Sequence, residues 1–141
     1  MTDATKMILL IEDDPDHELL TIRALKRSTI ASDVRVARDG EEAIALLQGE
    51  NPIRPRVILL DLKLPKVDGL EVLRRLRESP DTCMIPVVIL TSSDEESDLV
   101  RGYQLGVNSY IRKPVNFNDF AEATRQLGMY WLVLNECAPQ A

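Results

Sequence analysis

An apolar run that ends in an acid, Val57-Ile58-Leu59-Leu60-Asp61, is the clearest sign of how this chain folds. Two further runs have the same form: residues 7–11 end in Glu12-Asp13-Asp14, and residues 87–90 end in Thr91-Ser92. Short apolar runs bounded by polar turns are typical of strands buried on both faces of a parallel sheet. The sequence therefore predicts a parallel sheet with polar groups at the ends of its strands.

Segments with helical periodicity lie between these runs, which predicts a doubly wound α/β fold. Helix starts are indicated by Asp14-Pro15, by the capping-box spacing of Ser93 and Glu96, and by Asn116 before the last helix. Two shorter apolar runs complete the set of strands. We expect the 141 residues to form a single domain.

The acids at the strand ends predict a cation site. In open parallel sheets ligands bind beyond the carboxyl ends of the strands, so these acids should meet at one edge. Asp13 and Asp61 are expected to bind Mg²⁺ directly, and Glu12 through water or a longer reach. The main-chain carbonyl of Lys63 is expected to supply a further oxygen. The alternative, that the acids only cap helices or face solvent in turns, suits Asp14 better than the others.

A metal site does not by itself explain a hydroxyl and a lysine at the same edge. A carboxylate can attack phosphorus to form an acyl phosphate, whose oxygens then need neutralising. Asp61 is the expected nucleophile because it stands alone at the end of a central strand, and Thr91 and Lys113 are each expected to bind a phosphoryl oxygen. Taken singly, Thr91 could cap a strand end and Lys113 could be an exposed cation. The bond between Lys113 and Pro114 could be cis or trans.

The composition excludes several classes of protein. A net charge of −6 argues against nucleic acid as a partner, because binding phosphates needs a basic face. The longest apolar stretch, residues 129–134, is too short to cross a bilayer, and residues 1–6 lack an apolar signal core. We therefore expect a cytoplasmic protein that binds no membrane, with Cys83 and Cys137 as reduced thiols.

Together these motifs resemble the receiver domain of two-component response regulators, a CheY-like family, over roughly residues 6–127. The motifs that carry the resemblance are Ile11-Glu12-Asp13-Asp14-Pro15, Leu59-Leu60-Asp61-Leu62-Lys63-Leu64-Pro65-Lys66-Val67-Asp68-Gly69, Leu90-Thr91-Ser92 and Tyr110-Ile111-Arg112-Lys113-Pro114. Each motif alone is weak, and together they are specific. The resemblance implies a flavodoxin-like sheet of five parallel strands in order 2-1-3-4-5, flanked by five helices.

The resemblance also implies roles for the site residues. Asp61 would accept a phosphoryl group from a histidine kinase, with Mg²⁺ at Glu12, Asp13 and Asp61 and with Lys113 as the phosphoryl-binding cation. Glu12 stands where aspartate is more usual, a variant that should keep metal binding. Such a protein catalyses its own phosphorylation and dephosphorylation but turns over no external substrate, and so is not an enzyme in the ordinary sense.

A conformational switch is implied for Thr91 and Tyr110. The phosphoryl group would draw the Thr91 hydroxyl inward, and the Tyr110 ring would then move from an exposed to a buried position. That movement would repack the surface formed by the fourth helix, the fifth strand and the fifth helix. Alternatively, Tyr110 is a half-buried aromatic of an edge strand with no switch role.

Two other functions fit parts of the pattern. A phosphatase of the haloacid dehalogenase type also uses a strand-end aspartate and Mg²⁺, but it needs a second aspartate where this chain has Lys63. A receiver-like module that binds partners without phosphate would not need Asp13, Asp61, Thr91 and Lys113. Lys63 leads to a further hypothesis, that its side chain crowds attacking water and lengthens the life of the acyl phosphate.

The last part of the chain is strongly apolar. A stripe of heptad-type spacing runs along the predicted last helix and consists of Phe117, Phe120, Thr124, Leu127, Trp131 and Leu134. We expect residues 1–127 to form the receiver domain and residues 128–141 to extend the last helix or form an arm, with no output domain. The other faces are apolar too, so we expect a homodimer that covers Phe117, Phe120, Leu127, Tyr130, Trp131 and Leu134. The alternatives are packing against the same chain and an arm that begins at Gly128.

A narrower resemblance is carried by residues 130–136 and by the loop of residues 48–56. These segments are similar to those of response regulators paired with bacterial phytochrome kinases. The resemblance implies a homodimer through the last helix and a light-regulated histidine kinase as the phosphoryl donor. His17, the single histidine, lies at the start of the first helix, where a kinase docks in this family. A solvated side chain is the alternative for His17.

Overall fold

The computed structural model describes residues 7–27, 33–114, 116–136 and 138, with Phe117 described by its backbone alone. The strands are β1 Met7–Ile11, β2 Asp33–Ala37, β3 Val57–Leu60, β4 Val87–Thr91 and β5 Ser109–Arg112. The helices are α1 Pro15–Arg27, α2 Gly40–Gln48, α3 Gly69–Glu78, α4 Glu96–Gln104 and α5 Phe117–Met129, followed by a π-helical turn, Tyr130–Leu134. The strands form one parallel sheet in the order β2-β1-β3-β4-β5, so the predicted fold is confirmed.

The alternation of side chains along the strands creates two cores, one on each face of the sheet. The α2–α3 core takes one set of strand residues together with helix residues: Leu9, Ile11, Ile58, Leu60, Ile89, Leu47, Val72, Leu73 and Leu76. The α1–α5 core takes the other set: Ile8, Leu10, Val57, Leu59, Val88, Leu90, Leu25, Phe120, Leu127, Trp131 and Leu132. Because the central strands are apolar on both faces, they are covered by helices on both sides.

The hydrogen-bond ladder of the sheet continues one residue past the strand ends and fixes the polar residues that follow. The amide of Asp61 donates to the carbonyl of Ile11 over 3.0 Å, and the amide of Lys113 donates to the carbonyl of Thr91 over 2.7 Å. The amide of Glu12 likewise donates to the last residue of β2. The backbone therefore sets the positions of these residues before their side chains interact.

Two helix starts test the capping predictions. The side chain of Asn116 accepts from the amides of Asn118 and Asp119, so the predicted cap of α5 is confirmed. The predicted capping box of α4 is wrong, because the N-cap of the helix is Glu95, two residues after Ser93. Ser93 instead accepts from the amide of Glu95 over 3.3 Å and donates to Asp98 over 2.6 Å. These bonds stabilise a turn before the helix rather than its first turn.

The chain remains helical beyond α5. Gly128 lies inside α5, and the π-helical turn is closed by a 2.7 Å bond from the amide of Asn135 to the carbonyl of Tyr130. The guanidinium of Arg56, just before β3, donates to the carbonyls of Trp131 and Asn135, each over 3.2 Å. A cation at this position satisfies carbonyls that a helix end leaves without partners.

The predicted stripe on this segment divides between the interior and the surface. Three of the predicted interface residues are buried in the α1–α5 core, namely Phe120, Leu127 and Trp131. These three side chains pack within the chain, so their assignment to the dimer interface is wrong. Tyr130 is 48% exposed and Leu134 is 66% exposed. The side chain at position 117 lies outside the described residues, as does Cys137.

Three further points of the sequence analysis concern the described residues alone. No cis peptide bond occurs among them, so the bond between Lys113 and Pro114 is trans. No helix in this part of the chain has the length and apolar character needed to span a bilayer. Cys83 is a free thiol.

Candidate functional site

Three carboxyl groups meet at the carboxyl ends of β1 and β3. Oxygens of Glu12, Asp13 and Asp61 all lie within 4.8 Å of one another. Glu12 and Asp61 are buried, whereas Asp13 is exposed. The cluster is therefore closed on the protein side and open toward solvent at Asp13. Oxygen-only donor sets of this kind suit hard divalent cations such as Mg²⁺ and Mn²⁺.

Both carboxylate oxygens of Asp61 accept hydrogen bonds. Thr91 Oγ1 donates to Oδ1 over 2.8 Å, and Lys113 Nζ donates to Oδ2 over 3.0 Å. The amide of Lys63 also lies 3.3 Å from Oδ1. Two side chains that are remote in the sequence and one amide of the following loop thus hold the Asp61 carboxylate in a fixed orientation. The sequence predicted the convergence of Thr91 and Lys113 on Asp61, and the structure brings them together.

Lys113 is almost completely buried, with 3% of its side chain exposed. Its ammonium group donates to Glu12 Oε1, to Asp61 Oδ2 and, over 2.8 Å, to His17 Nδ1. A lysine ammonium has three N–H donors and no acceptor, so these three partners satisfy it completely. Its burial excludes the interpretation of Lys113 as an exposed cation.

His17 is the site residue whose contact the sequence did not predict. Its side chain is 34% exposed, and its ring lies 5.8 Å from that of Phe120 on α5, tilted by 31°. The interpretation of His17 as a solvated residue is therefore wrong. A signal was present in the position: residue 17 lies in the first turn of α1, which begins directly after the acids that follow β1.

Glu12 and Asp61 differ in pKa although they lie side by side. Burial raises the pKa of Glu12 to about 7, with the neighbouring Asp61 charge adding to the effect and Lys113 opposing it. Burial also acts to raise the pKa of Asp61, but the charge of Lys113 and the hydrogen bond from Thr91 outweigh it, and the pKa lies below its usual range. Asp61 is therefore ionised at neutral pH, as a nucleophile must be.

Comparison with known proteins identifies the family. Residues 8–125 match the response regulator receiver domain. The chain belongs to the response-regulator receiver family. It is 44% identical to the response regulator Rcp1 of Synechocystis sp. over 131 residues, which cover 90% of this chain and 89% of Rcp1.

Solved structures of receiver proteins share the fold. The Mn²⁺-bound form of Rcp1 has a TM-score of 0.89 at 40% identity and covers 94% of this chain and 99% of its own. The phosphorylated cyanobacterial phytochrome response regulator RcpA also has a TM-score of 0.89, at 38% identity, covering 94% of this chain and 98% of its own. The predicted resemblance to the receiver family and to phytochrome response regulators is confirmed.

Tyr110 of this receiver lies near the site but does not bond to it. Its ring packs against the α2–α3 core beside Gly102 of α4, where an added Cβ would lie 3.4 Å from the ring. Its hydroxyl is buried and has no hydrogen-bond partner among the described residues. Burial raises the pKa of Tyr110. The ring is thus already turned inward.

The loop after Asp61 is held close to the acceptor. The amide of Gly69, the first residue of α3, donates to the carbonyl of Leu62 over 2.9 Å. A Cβ at position 69 would lie 2.3 Å from the carbonyl oxygen of Asp61, so only glycine allows this approach. The side chain of Lys63 is exposed, and the metal ligation predicted for its carbonyl stays a prediction.

Proposed function

We propose that this chain is a phosphoacceptor response regulator that receives a phosphoryl group on Asp61 from a histidine kinase. The observation that carries the proposal is the Asp61 carboxylate held by Thr91 and Lys113 beside two further acids. An ionised, fixed carboxylate with a cation and a hydroxyl at its oxygens is equipped to form an acyl phosphate.

The transfer itself needs little covalent chemistry from the protein. An oxygen of Asp61 attacks phosphorus, the new O–P bond forms as the N–P bond of the donor phosphohistidine breaks, and the electron pair remains on the departing imidazole nitrogen. Lys113 and Thr91 already lie at the two carboxylate oxygens, and each would donate to an oxygen of the arriving group. Positioning and charge neutralisation then supply most of the rate.

Mg²⁺ is the cation that we propose for the acid cluster. Glu12, Asp13 and Asp61 would hold it, together with the carbonyl of Lys63. When bound, the cation neutralises charge on the phosphoryl oxygens and on the clustered acids. The donor set fits the cation because every candidate ligand is a hard oxygen.

The direct test is phosphorylation by a small donor. The chain is incubated with acetyl phosphate and Mg²⁺, and intact mass is recorded for the wild type, Asp61→Asn and Asp16→Asn. The control, Asp16, is an exposed acid in the first turn of α1. We expect one phosphoryl group on the wild type and on Asp16→Asn and none on Asp61→Asn. Phosphate on Asp61→Asn, or none on the wild type, would contradict the proposal.

A phytochrome-type histidine kinase is the donor that we propose. The support is the similarity to the cyanobacterial phytochrome response regulator RcpA over 94% of this chain. We also propose a cytoplasmic location for this chain, where it would meet such a donor. Its net charge of −6 gives no basis for a nucleic-acid partner. The proposed role includes catalysis of its own phosphorylation and dephosphorylation, without an external substrate.

The output proposed for phosphorylation is a rearrangement of the α4, β5 and α5 surface. The Thr91 hydroxyl would leave Asp61 for a phosphoryl oxygen, and Tyr110 would adjust in the space behind it. The support is the buried, unpartnered hydroxyl of Tyr110 and the close packing of its ring against Gly102. A ring with an unsatisfied hydroxyl gains when a movement gives it a partner.

A homodimer through the C-terminal segment is the assembly that we propose. Tyr130, Val133 and Leu134 are exposed apolar side chains on the π-helical turn. Beside them lies a groove of about 460 Å³ between β5, α5 and this turn, lined by Asn108, Ser109, Ile111, Ala123, Gln126, Leu127, Tyr130 and Trp131. A second copy would cover the exposed side chains.

Light scattering on Leu134→Ser and Met84→Ser tests the assembly, since both residues are about two-thirds exposed and only Leu134 belongs to the C-terminal segment. We expect the Leu134 variant alone to dissociate. Unchanged dimers in both variants, or a monomeric wild type, would contradict the proposed interface.

A further inference from the structure

The imidazole of His17 contacts the buried ammonium of the phosphoryl-binding lysine. Nδ1 of His17 lies 2.8 Å from Nζ of Lys113, which also donates to Asp61 over 3.0 Å. We propose that His17 is a positioning residue: it accepts the third N–H of Lys113 and holds the ammonium in place for phosphoryl transfer. The inference rests on the proposed function of Asp61 as phosphoacceptor.

The donor count of Lys113 makes this contact necessary. Two of its N–H groups go to carboxylates, Glu12 and Asp61, and the third goes to His17. With 3% of its side chain exposed, Lys113 has little access to bulk water that could replace a lost partner. Without the imidazole, one donor of a buried cation would be unsatisfied and the ammonium would be free to turn.

The contact also defines the state of the imidazole. An ammonium only donates, so Nδ1 of His17 must carry a lone pair and the ring proton must be on Nε2. The ring is thus a neutral acceptor. A neutral acceptor anchors the lysine without cancelling the charge that the phosphoryl group needs.

His17 retains its role when the two carboxylates change partners. The arriving phosphoryl group would bond to one oxygen of Asp61, and Glu12 would be among the residues that hold a divalent cation. Lys113 would then exchange these bonds for one to a phosphoryl oxygen, while its bond to His17 Nδ1 could remain in place. The histidine therefore keeps the ammonium within reach throughout the transfer.

The imidazole is itself fixed from two directions. Its ring packs against Phe120, a buried residue of α5, with ring centres 5.8 Å apart. Its backbone amide donates to the Asp14 side chain over 3.3 Å at the start of α1. An acceptor held by packing and by the helix start is already oriented before the phosphoryl group arrives.

Nuclear magnetic resonance tests the contact without any phosphoryl transfer. Because the chain has one histidine, its ring nitrogens give an unambiguous long-range ¹H–¹⁵N spectrum. At mildly alkaline pH we expect the proton on Nε2, and we expect the Nδ1 resonance to move in Lys113→Met. The matched control Lys26→Met removes an exposed lysine on α1, the helix that carries His17, and should leave the imidazole signals unchanged. A proton on Nδ1, or an Nδ1 resonance indifferent to Lys113→Met, would overturn the inference.

Two substitutions test the positioning role. His17→Leu keeps the size but removes the acceptor, whereas His17→Asn keeps an acceptor, because Oδ1 and Nδ1 are both bonded to Cγ. We expect His17→Leu to lower the affinity for beryllofluoride, a phosphoryl analogue, by about tenfold and the rate of labelling by acetyl phosphate by a similar factor. We expect His17→Asn to restore both to within about threefold of the wild type.

The outcomes separate the inference from the proposed function. His17→Leu at wild-type rates, or His17→Asn as impaired as His17→Leu, would overturn the positioning role. A fold lost in His17→Leu leaves the asparagine rescue and the imidazole spectrum as independent tests. Failure of the wild type itself to take up a phosphoryl group would contradict the role of Asp61, while the spectrum would still report the contact between His17 and Lys113.

Discussion

The acid edge of the sheet and the helical segment after Leu127 are held in different ways. At the edge, Asp61, Thr91 and Lys113 are fixed by the hydrogen-bond ladder and then by bonds to one another. The C-terminal segment is held by apolar packing of Trp131 and its neighbours and by the guanidinium of Arg56. At the edge, the position of each charged group depends on the others. In the C-terminal segment, each apolar side chain contributes its own packing contacts.

The comparison teaches where function and stability are separable. Removing one charge at the edge takes a preorganised contact away from the reacting carboxylate, so we expect a large loss of phosphoryl-transfer rate. Removing an apolar side chain from the segment leaves a cavity, so the fold suffers most. The predictions below test this division, beginning with the largest expected effect.

The largest effect is expected on stability, from Trp131→Ala. Trp131 is 9% exposed and part of the α1–α5 core, and its truncation should lower the free energy of unfolding by about 3 kcal/mol. The labelling rate of the folded protein should not change. Leu134→Ala, on the exposed side of the same turn, should shift stability by less than about 0.5 kcal/mol. Urea denaturation measures both, and equal losses would show that the segment is not packed as described.

Lys113→Met should have the largest effect on chemistry. Removing the cation from Asp61 should slow labelling by acetyl phosphate by about 10²-fold, the scale seen for loss of one preorganised electrostatic contact. Intact-mass time courses measure the rate, with the exposed Lys26→Met as control. A rate within threefold or so of the wild type would place the phosphoryl-binding charge elsewhere.

Mg²⁺ should stabilise the fold through the acid cluster by about 1–3 kcal/mol at saturating concentration, because it binds the folded state. Asp13→Asn should abolish this increment and Asp16→Asn should retain it, since only Asp13 belongs to the cluster. Thermal unfolding with Mg²⁺ and with chelator measures the difference. An increment that persists in Asp13→Asn would move the cation away from this site.

The smallest effect is expected from Lys63→Ala. The exposed side chain of Lys63 stands beside the acceptor, and its removal should admit water and shorten the lifetime of the acyl phosphate by about threefold. Decay of the phosphorylated mass after removal of donor measures the lifetime. An unchanged half-life would remove the hypothesis.

Much of the fold and of the edge could be predicted from the sequence, for a physical reason. The apolar runs specify buried strands, and parallel strands carry the residues that follow them to the same edge. The polar residues after the strands therefore converge even if the predicted helix starts are inexact. These residues are Glu12, Asp13, Asp61, Thr91 and Lys113. A one-residue error in a helix boundary does not change this result.

The contacts of His17 and the start of α4 could not be predicted in the same way. His17 lies on a helix, so its partner depends on the rotation of α1 against the sheet. Ser93 had two competing uses, a helix cap or a turn, and its bonds to Glu95 and Asp98 decide for the turn. Sequence spacing does not rank such local alternatives, because each satisfies the same polar groups.

The buried face of the C-terminal segment illustrates a different limit. The heptad-type spacing predicted Leu127, Trp131 and Leu134 on one side, but Leu132 is buried and Leu134 is exposed. The π-helical turn, Tyr130–Leu134, has more residues per turn than an α-helix, so the stripe changes direction after Trp131. The predicted stripe is buried from Phe120 to Trp131, but within this chain rather than in the predicted dimer interface.

A crystal structure of the chain with Mg²⁺ and beryllofluoride tests the central claim most directly, namely that this edge is one site for a divalent cation and a phosphoryl group. We expect the cation among the oxygens of Glu12, Asp13 and Asp61, and beryllofluoride on Asp61 with bonds from Thr91 and Lys113. Beryllofluoride bound elsewhere, or a cation remote from these three carboxylates, would contradict the account.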